Sequence, residues 1–338
     1  MNLLKFLKSF FFQEEIPNFG ILQSDLDNLA PSSNLHEQSE VVAKISLPTF
    51  KGVNGDGSIR KFPYQYQSSS SSCVAHTEAK IATILYYLLK GNVVKYSPAF
   101  FYSQRTNKPN GGMAFSDVVK IGAKKGCLLY DLMPCNGYSE ELMNSMIIEQ
   151  YQYECADAFK LPENWIELPL DFDTVASTIE ATKKPIMLWF QFYSGEFFFT
   201  SYPRINGNNT SWKHSITAVD TTTKNGVKYI VIEDSADHEE NYQKFINREF
   251  FERCFLARYP KNFQFAIPST TKPVFDGSIK SLQEILIYEG LLPTDCNTGY
   301  FGNLTKQALI KFQTIKGISP AIGVFGDITK RYLLTNYQ

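Results

Sequence analysis

The chain changes rhythm at position 73. From Cys73 to Lys90 apolar residues recur at helical spacing, which predicts one long amphipathic helix. A second helical stretch is predicted over Ala114–Lys125. Past position 180 the period becomes that of strands. Pro185–Phe192 is a nearly continuous apolar run, and His214–Val219 and Val227–Ile232 are short strand candidates. The segment Thr221–Gly226 joins these two, and its Asn225-Gly226 pair is a hairpin signal, because a tight primed turn needs two residues at positive φ. A helical first half followed by an antiparallel second half predicts an α+β fold.

Composition shifts divide the rest. Residues 1–45 are mixed and polar and are expected to form a lead or pro-segment. The large domain is placed at 46–268, a linker around Pro268–Pro273 at 269–277, and a small helical unit at 278–338. That unit has an internal echo. Gly299-Tyr-Phe-Gly302-x-x-Thr305 is repeated as Gly323-x-Phe325-Gly326-x-x-Thr329. Each Gly-x-Phe-Gly-x-x-Thr turn opens a helix, so three helices are expected.

Net charge is −1, with no basic stripe carrying interleaved aromatics, so a nucleic-acid partner is not expected. No apolar run approaches the ~18 residues of a membrane helix. The N-terminus begins like a signal peptide, but Lys8 interrupts the apolar run and no small-x-small cleavage site follows. The 6 cysteines (Cys73, Cys127, Cys135, Cys155, Cys254 and Cys296) form no CxxC pair and no zinc-type cluster with the 4 histidines, so neither a metal nor a cofactor is expected. The redox compartment and any pairing stay open.

Chemistry concentrates at the start of the long helix. Cys73 stands where backbone N–H groups lack intrahelical partners and the helix dipole is positive, and both favour a thiolate. A cysteine there is often only a small buried apolar side chain, so the reading depends on its surroundings. Gln67, one serine-rich loop upstream, is placed to offer an amide N–H to an oxyanion. His214 begins one predicted strand and Asp234 ends the next, so the hairpin can set them side by side, with Asp234 orienting the ring and His214 serving as base. His76, on the cysteine's own helix, and His238, in an acidic loop, are competing bases.

From Leu47 to Pro268 the sequence resembles the papain-like cysteine peptidases. The resemblance rests on the Gln67-to-Cys73 spacing, the Ser97-Pro-Ala-Phe-Phe-Tyr102 helix start, the Asn110-Gly111-Gly112 turn, the His214–Val219 and Tyr229–Ser235 strands, and the order of cysteine, histidine and orienting residue. It implies a helical lobe followed by an antiparallel β lobe, and a polypeptide substrate whose backbone pairs with Gly111 and Gly112. It also implies a triad of Cys73, His214 and Asp234 with Gln67 in the oxyanion hole. Five positions depart from the family. Val74 replaces the usual tryptophan after the nucleophile, and Asp234 the usual asparagine. Ala236 replaces a shielding tryptophan, which implies a more exposed, more mobile histidine. Ser70 and Pro109 replace two cysteines that in the family tie the nucleophile loop to the Asn-Gly-Gly turn.

Residues 278–336 resemble the peptidoglycan-binding-type domain appended to many cell-wall hydrolases. This implies attachment to peptidoglycan or another wall polymer, and a place in the cell envelope, outside the cell or in a phage particle. Two alternatives remain at this point: a wall-peptide hydrolase of the NlpC/P60 kind, against which Gln67 and the Asn-Gly-Gly turn argue, and an inactive wall-binding or virion protein on a peptidase scaffold.

Overall fold

The computed structural model describes residues 52–91, 93–157, 159–207, 211–261, 273–289, 291–292 and 296–338. The expected lead at 1–45, the domain start at Leu47 and the first part of the 269–277 linker lie outside them.

Helix α1 (Cys73–Lys90) follows the predicted amphipathic span and ends at Gly91, whose φ of 73° lets its N–H close on the Tyr87 carbonyl. At its other end Ser72 makes no side-chain cap and the first turn carries no acid. The leading N–H groups and the positive dipole end therefore stay aimed at Cys73. Helices α2 (Pro98–Tyr102), α3 (Phe115–Lys124), α4 (Glu140–Ser145) and α5 (Gln150–Asp157) complete a helical lobe. Its core is aromatic: Tyr96, Phe100, Phe101, Tyr102 and Phe159 are fully buried, with the Tyr96 and Phe159 rings 4.9 Å apart.

The second lobe is a six-stranded antiparallel sheet in the order β1-β6-β2-β3-β4-β5. Its strands are β1 (Trp165–Glu167), β2 (Ile186–Phe192), β3 (Trp212–Lys224), β4 (Val227–Glu233), β5 (Gln243–Ile246) and β6 (Cys254–Pro260). Helices α6 (Phe172–Thr182), α7 (Ser194–Phe197) and α8 (Arg248–Phe251) belong to this lobe. The apolar run in β2 has a direct cause. Met187 and Trp189 enter the core shared with the helical lobe, whereas Ile186, Leu188, Phe190 and Phe192 enter the core behind the sheet. A strand covered on both faces needs no polar alternation.

Strand β3 is longer than expected. The Thr221–Thr223 run, read as part of the connecting loop, stays in the ladder, as β-branched residues favour. Only Asn225 (φ 50°) and Gly226 (φ 78°) make the turn.

Helix α1 is the seam between the lobes. Thr77 meets Ser215 Oγ at 3.0 Å and accepts from Thr217 Oγ1, and Lys80 pairs with Glu233 at 2.7 Å in the interior. The segment before α1 laces across the sheet: Asp220 accepts from the Val53 and Arg60 N–H groups, and Glu233 from that of Phe62.

Helices α9 (Ile279–Tyr288), α10 (Asn303–Ile315) and α11 (Asp327–Asn336) form the C-terminal group. The sequence echo is structural. Gln283 donates to Thr305 Oγ1 and the Tyr300 carbonyl and accepts from Gly299 N–H; Gln313 repeats this with Thr329, Val324 and Gly323. One buried amide thus satisfies each helix-entry turn. The group rests on the helical lobe, where Tyr300 stacks on Tyr151 of α5 with centroids 4.4 Å apart. All 6 cysteines are buried.

Candidate active site

The β3–β4 hairpin brings together residues 20 positions apart in sequence: His214 Nε2 lies 2.6 Å from Asp234 Oδ1. His214 is paired with Phe190 of β2 in the ladder, and Asp234 follows β4 directly, its N–H bonded to the Tyr242 carbonyl. The Ala236 N–H donates to the same Oδ1 at 3.0 Å, so the carboxylate is held from its own loop as well. The Cys73 sulfur is the ring's other electrostatic partner. The Ser215 N–H donates to Cys73 Sγ at 3.4 Å. Cys73, His214 and Asp234 are therefore brought together at the seam.

The electrostatics suit an ion pair. Burial pushes the His214 imidazole down, but the Asp234 carboxylate and the Cys73 sulfur outweigh it and raise the ring to about 9. Burial pushes the Asp234 carboxyl up, and His214, Lys244 and the Ala236 N–H more than reverse this, leaving it below its ordinary value. A protonated ring and an ionised carboxylate are thus the favoured states at neutral pH.

Gln67 is buried between the two loops that matter. Its Nε2 donates to the Ser70 carbonyl at 2.9 Å, its Oε1 accepts from Ser235 Oγ at 2.7 Å, and its backbone N–H bonds the Ser235 carbonyl. A primary amide has two N–H groups, so Ser70 takes one and the other remains for a ligand.

The competing histidines lie elsewhere. His76 Nδ1 sits 3.1 Å from the Ser72 carbonyl and 3.0 Å from Ser72 Oγ. A carbonyl only accepts, so Nδ1 carries the hydrogen, and burial lowers this ring to about 4, leaving it neutral. His76 Nε2 and Asp234 Oδ2 have no protein hydrogen-bond partner among the described residues, and both residues line a cavity of about 10 Å³, the size of one water. His238 is exposed and stacks on Tyr66.

Two features differ from expectation. His214 was expected to be more exposed for want of the tryptophan that Ala236 replaces, yet it is fully buried. Phe192, Phe197 and Phe198 surround it, with ring centroids 6.3, 6.1 and 6.5 Å away. The Phe197-Phe198-Phe199 run was the sequence signal for this wall. The Asn110-Gly-Gly turn is also more occupied than expected. Gly112, at φ 84°, donates its N–H to Tyr102 Oη at 3.1 Å, and Asn107 Nδ2 donates to the carbonyls of Gly111 and Gly112. Gly111 lies against the nucleophile loop, where an added Cβ would sit 3.0 Å from Ser71 Oγ.

No protein-family model matches this sequence, and no curated protein matches it. Solved structures do resemble the fold. Xylellain, a cysteine protease from Xylella fastidiosa, superposes with a TM-score of 0.55 at 14% identity, over 75% of this chain and 94% of its own. Digestive procathepsin L 3 of Tenebrio molitor larval midgut superposes with a TM-score of 0.50 at 14% identity, over 65% of this chain and 72% of its own. The fold is the papain-like two-lobe α+β fold.

Proposed function

We propose that this protein is a cysteine peptidase that hydrolyses peptide bonds in polypeptides. The observation that carries the reading is the meeting of Cys73, at an uncapped helix start, with His214 and Asp234. Cys73 attacks the scissile carbonyl as thiolate. The second Gln67 N–H and the Cys73 backbone N–H, at a position with no intrahelical acceptor, hold the developing oxyanion. Protonated His214 gives its proton to the leaving amine, and the neutral ring then draws a proton from water as the thioester hydrolyses. Asp234 keeps the ring in register throughout. A substrate strand laid along Asn110–Gly112 meets a turn whose Gly112 N–H is already donated to Tyr102, so backbone pairing there requires that bond to yield.

The C-terminal helices carry the second part of the proposal: they attach the peptidase to peptidoglycan or a related wall polymer, which places it at the cell envelope or outside the cell. The repeated glutamine-clamped turns and the sequence resemblance support this. Co-sedimentation of the full chain with purified wall material, against a chain ending at 272, tests it. The catalytic part is tested by turnover of a protein substrate with Cys73→Ala as control. Activity that survives in the variant would remove Cys73 from the mechanism.

A further inference from the structure

We infer that Glu140 is a positioning residue that locks the nucleophile loop to the Asn110-Gly111-Gly112 turn, an inference that rests on the peptidase reading above. Five consecutive serines, Ser68–Ser72, lead into Cys73. Such a stretch has no bulky side chain to wedge it in place, so its backbone groups must find fixed partners. Glu140 Oε2 accepts the Ser71 N–H at 2.7 Å, two residues before Cys73. The same carboxylate accepts from Tyr102 Oη, at 2.8 Å to Oε1 and 3.0 Å to Oε2, and from Arg105 Nη2 at 3.1 Å. An ionised acceptor makes each bond shorter and stronger than a neutral one.

Those two partners hold the other segment. Arg105 Nε and Nη2 donate to the Asn110 carbonyl at 3.0 and 2.7 Å, and Nη2 reaches the Pro109 carbonyl at 3.3 Å. Tyr102 Oη accepts the Gly112 N–H. The guanidinium lies over the Tyr102 ring, 3.7 Å from its centroid, and the Arg105 side chain is wholly buried. Asn144 closes the group from α4 by accepting from Arg105 Nη2 at 2.6 Å and donating to the Pro109 carbonyl. Among the described residues, Glu140 is thus the group bonded both to the nucleophile loop and to the pair that grips the turn. Without it the Ser71 N–H loses its acceptor and a buried guanidinium loses its counter-charge, and the loop that sets the Cys73 sulfur is freed.

The test compares wild type, Glu140→Ala, Glu140→Gln and Cys73→Ala as full chains. The readouts are peptide-substrate kinetics, the rate of Cys73 alkylation across pH, and thermal melting. Glu140→Ala should lower kcat and the alkylation rate at least about tenfold, with KM within about threefold, because displacing a nucleophile by an ångström costs orders of magnitude in rate and little in binding. Glu140→Gln keeps an acceptor for Ser71 and should recover most of the loss. A folded Glu140→Ala with wild-type kcat and alkylation would overturn the assignment. Should Glu140→Ala not fold, Tyr102→Phe decides, since it keeps the ring under Arg105 and removes only the hydroxyl: a loss in kcat of about threefold or more supports the lock, and wild-type kcat overturns it. Failure of the peptidase reading looks different, because wild type itself would then show no more turnover than Cys73→Ala.

Discussion

Glu78 offers a sharp physical test of the structure. It lies on α1 five residues past Cys73, fully buried, and neither carboxyl oxygen has a hydrogen-bond partner among the described residues. Gly122 of α3 packs against it so closely that an added Cβ would sit 3.3 Å from Oε1. Burial pushes this carboxyl up from 4.5 to about 8. The folded chain therefore keeps a proton that the unfolded chain releases across that interval. Stability from the neutral acid is present in full below about pH 4.5 and is lost as pH rises through about 8. At ~1.4 kcal/mol per pH unit, the ionised side chain costs roughly 5 kcal/mol above pH 8. Glu78→Gln removes the titration and keeps the shape. Urea unfolding followed by tryptophan fluorescence, in a Cys73→Ala background to prevent self-digestion, measures both proteins from pH 5 to 9. The stability advantage of Glu78→Gln should grow by about 1.4 kcal/mol per pH unit through the lower and middle part of that range and flatten above about pH 8. An advantage that does not change with pH would refute the reasoning, because it would mean that Glu78 reaches solvent or an unrecognised cation.

The remaining predictions concern the site and one backbone contact. Asp234→Asn removes the charge that helps raise His214 to about 9, so the alkaline limb of the alkylation profile should move down by at least about one pH unit; an unmoved limb would show that Asp234 does not set it. His76→Phe should leave Cys73 alkylation within about threefold of wild type, since His76 is neutral and committed to Ser72; abolished alkylation would make His76 the base. Gly126→Ala should cost more than about 3 kcal/mol or prevent folding, because the added Cβ would stand 1.7 Å from the Ala156 carbonyl at a φ of 85°; near-wild-type melting would contradict that packing.

Much of the fold was legible because local signals agreed with it. The helical period from Cys73 to Lys90, the apolar run of β2 and the Asn225-Gly226 turn each fix their own element from neighbouring residues. The candidate triad could be read from residue type and order, since a hairpin brings His214 near Asp234 without knowledge of the rest of the chain. What escaped depends on contacts remote in sequence. The aromatic wall around His214 needs α7 folded against β3, and the Glu140 group joins positions 71, 102, 105, 110 and 140. No local periodicity marks such meetings. The threonine run in β3 was misread because polar β-branched residues resemble loop material until a neighbouring strand pairs with them. The two helix-entry turns of the C-terminal unit are visible as a repeat, but the hydrogen bonds that Gln283 and Gln313 make to them are not.

The measurement that bears most directly on the central claim is covalent labelling of the purified protein by an epoxide inhibitor of papain-like peptidases, read by intact mass, with Cys73→Ala alongside. A cleft that activates Cys73 through His214 gives one adduct on wild type and none on the variant. No adduct on wild type, or equal adducts on both, would contradict a nucleophilic Cys73 and leave a peptidase fold serving another purpose.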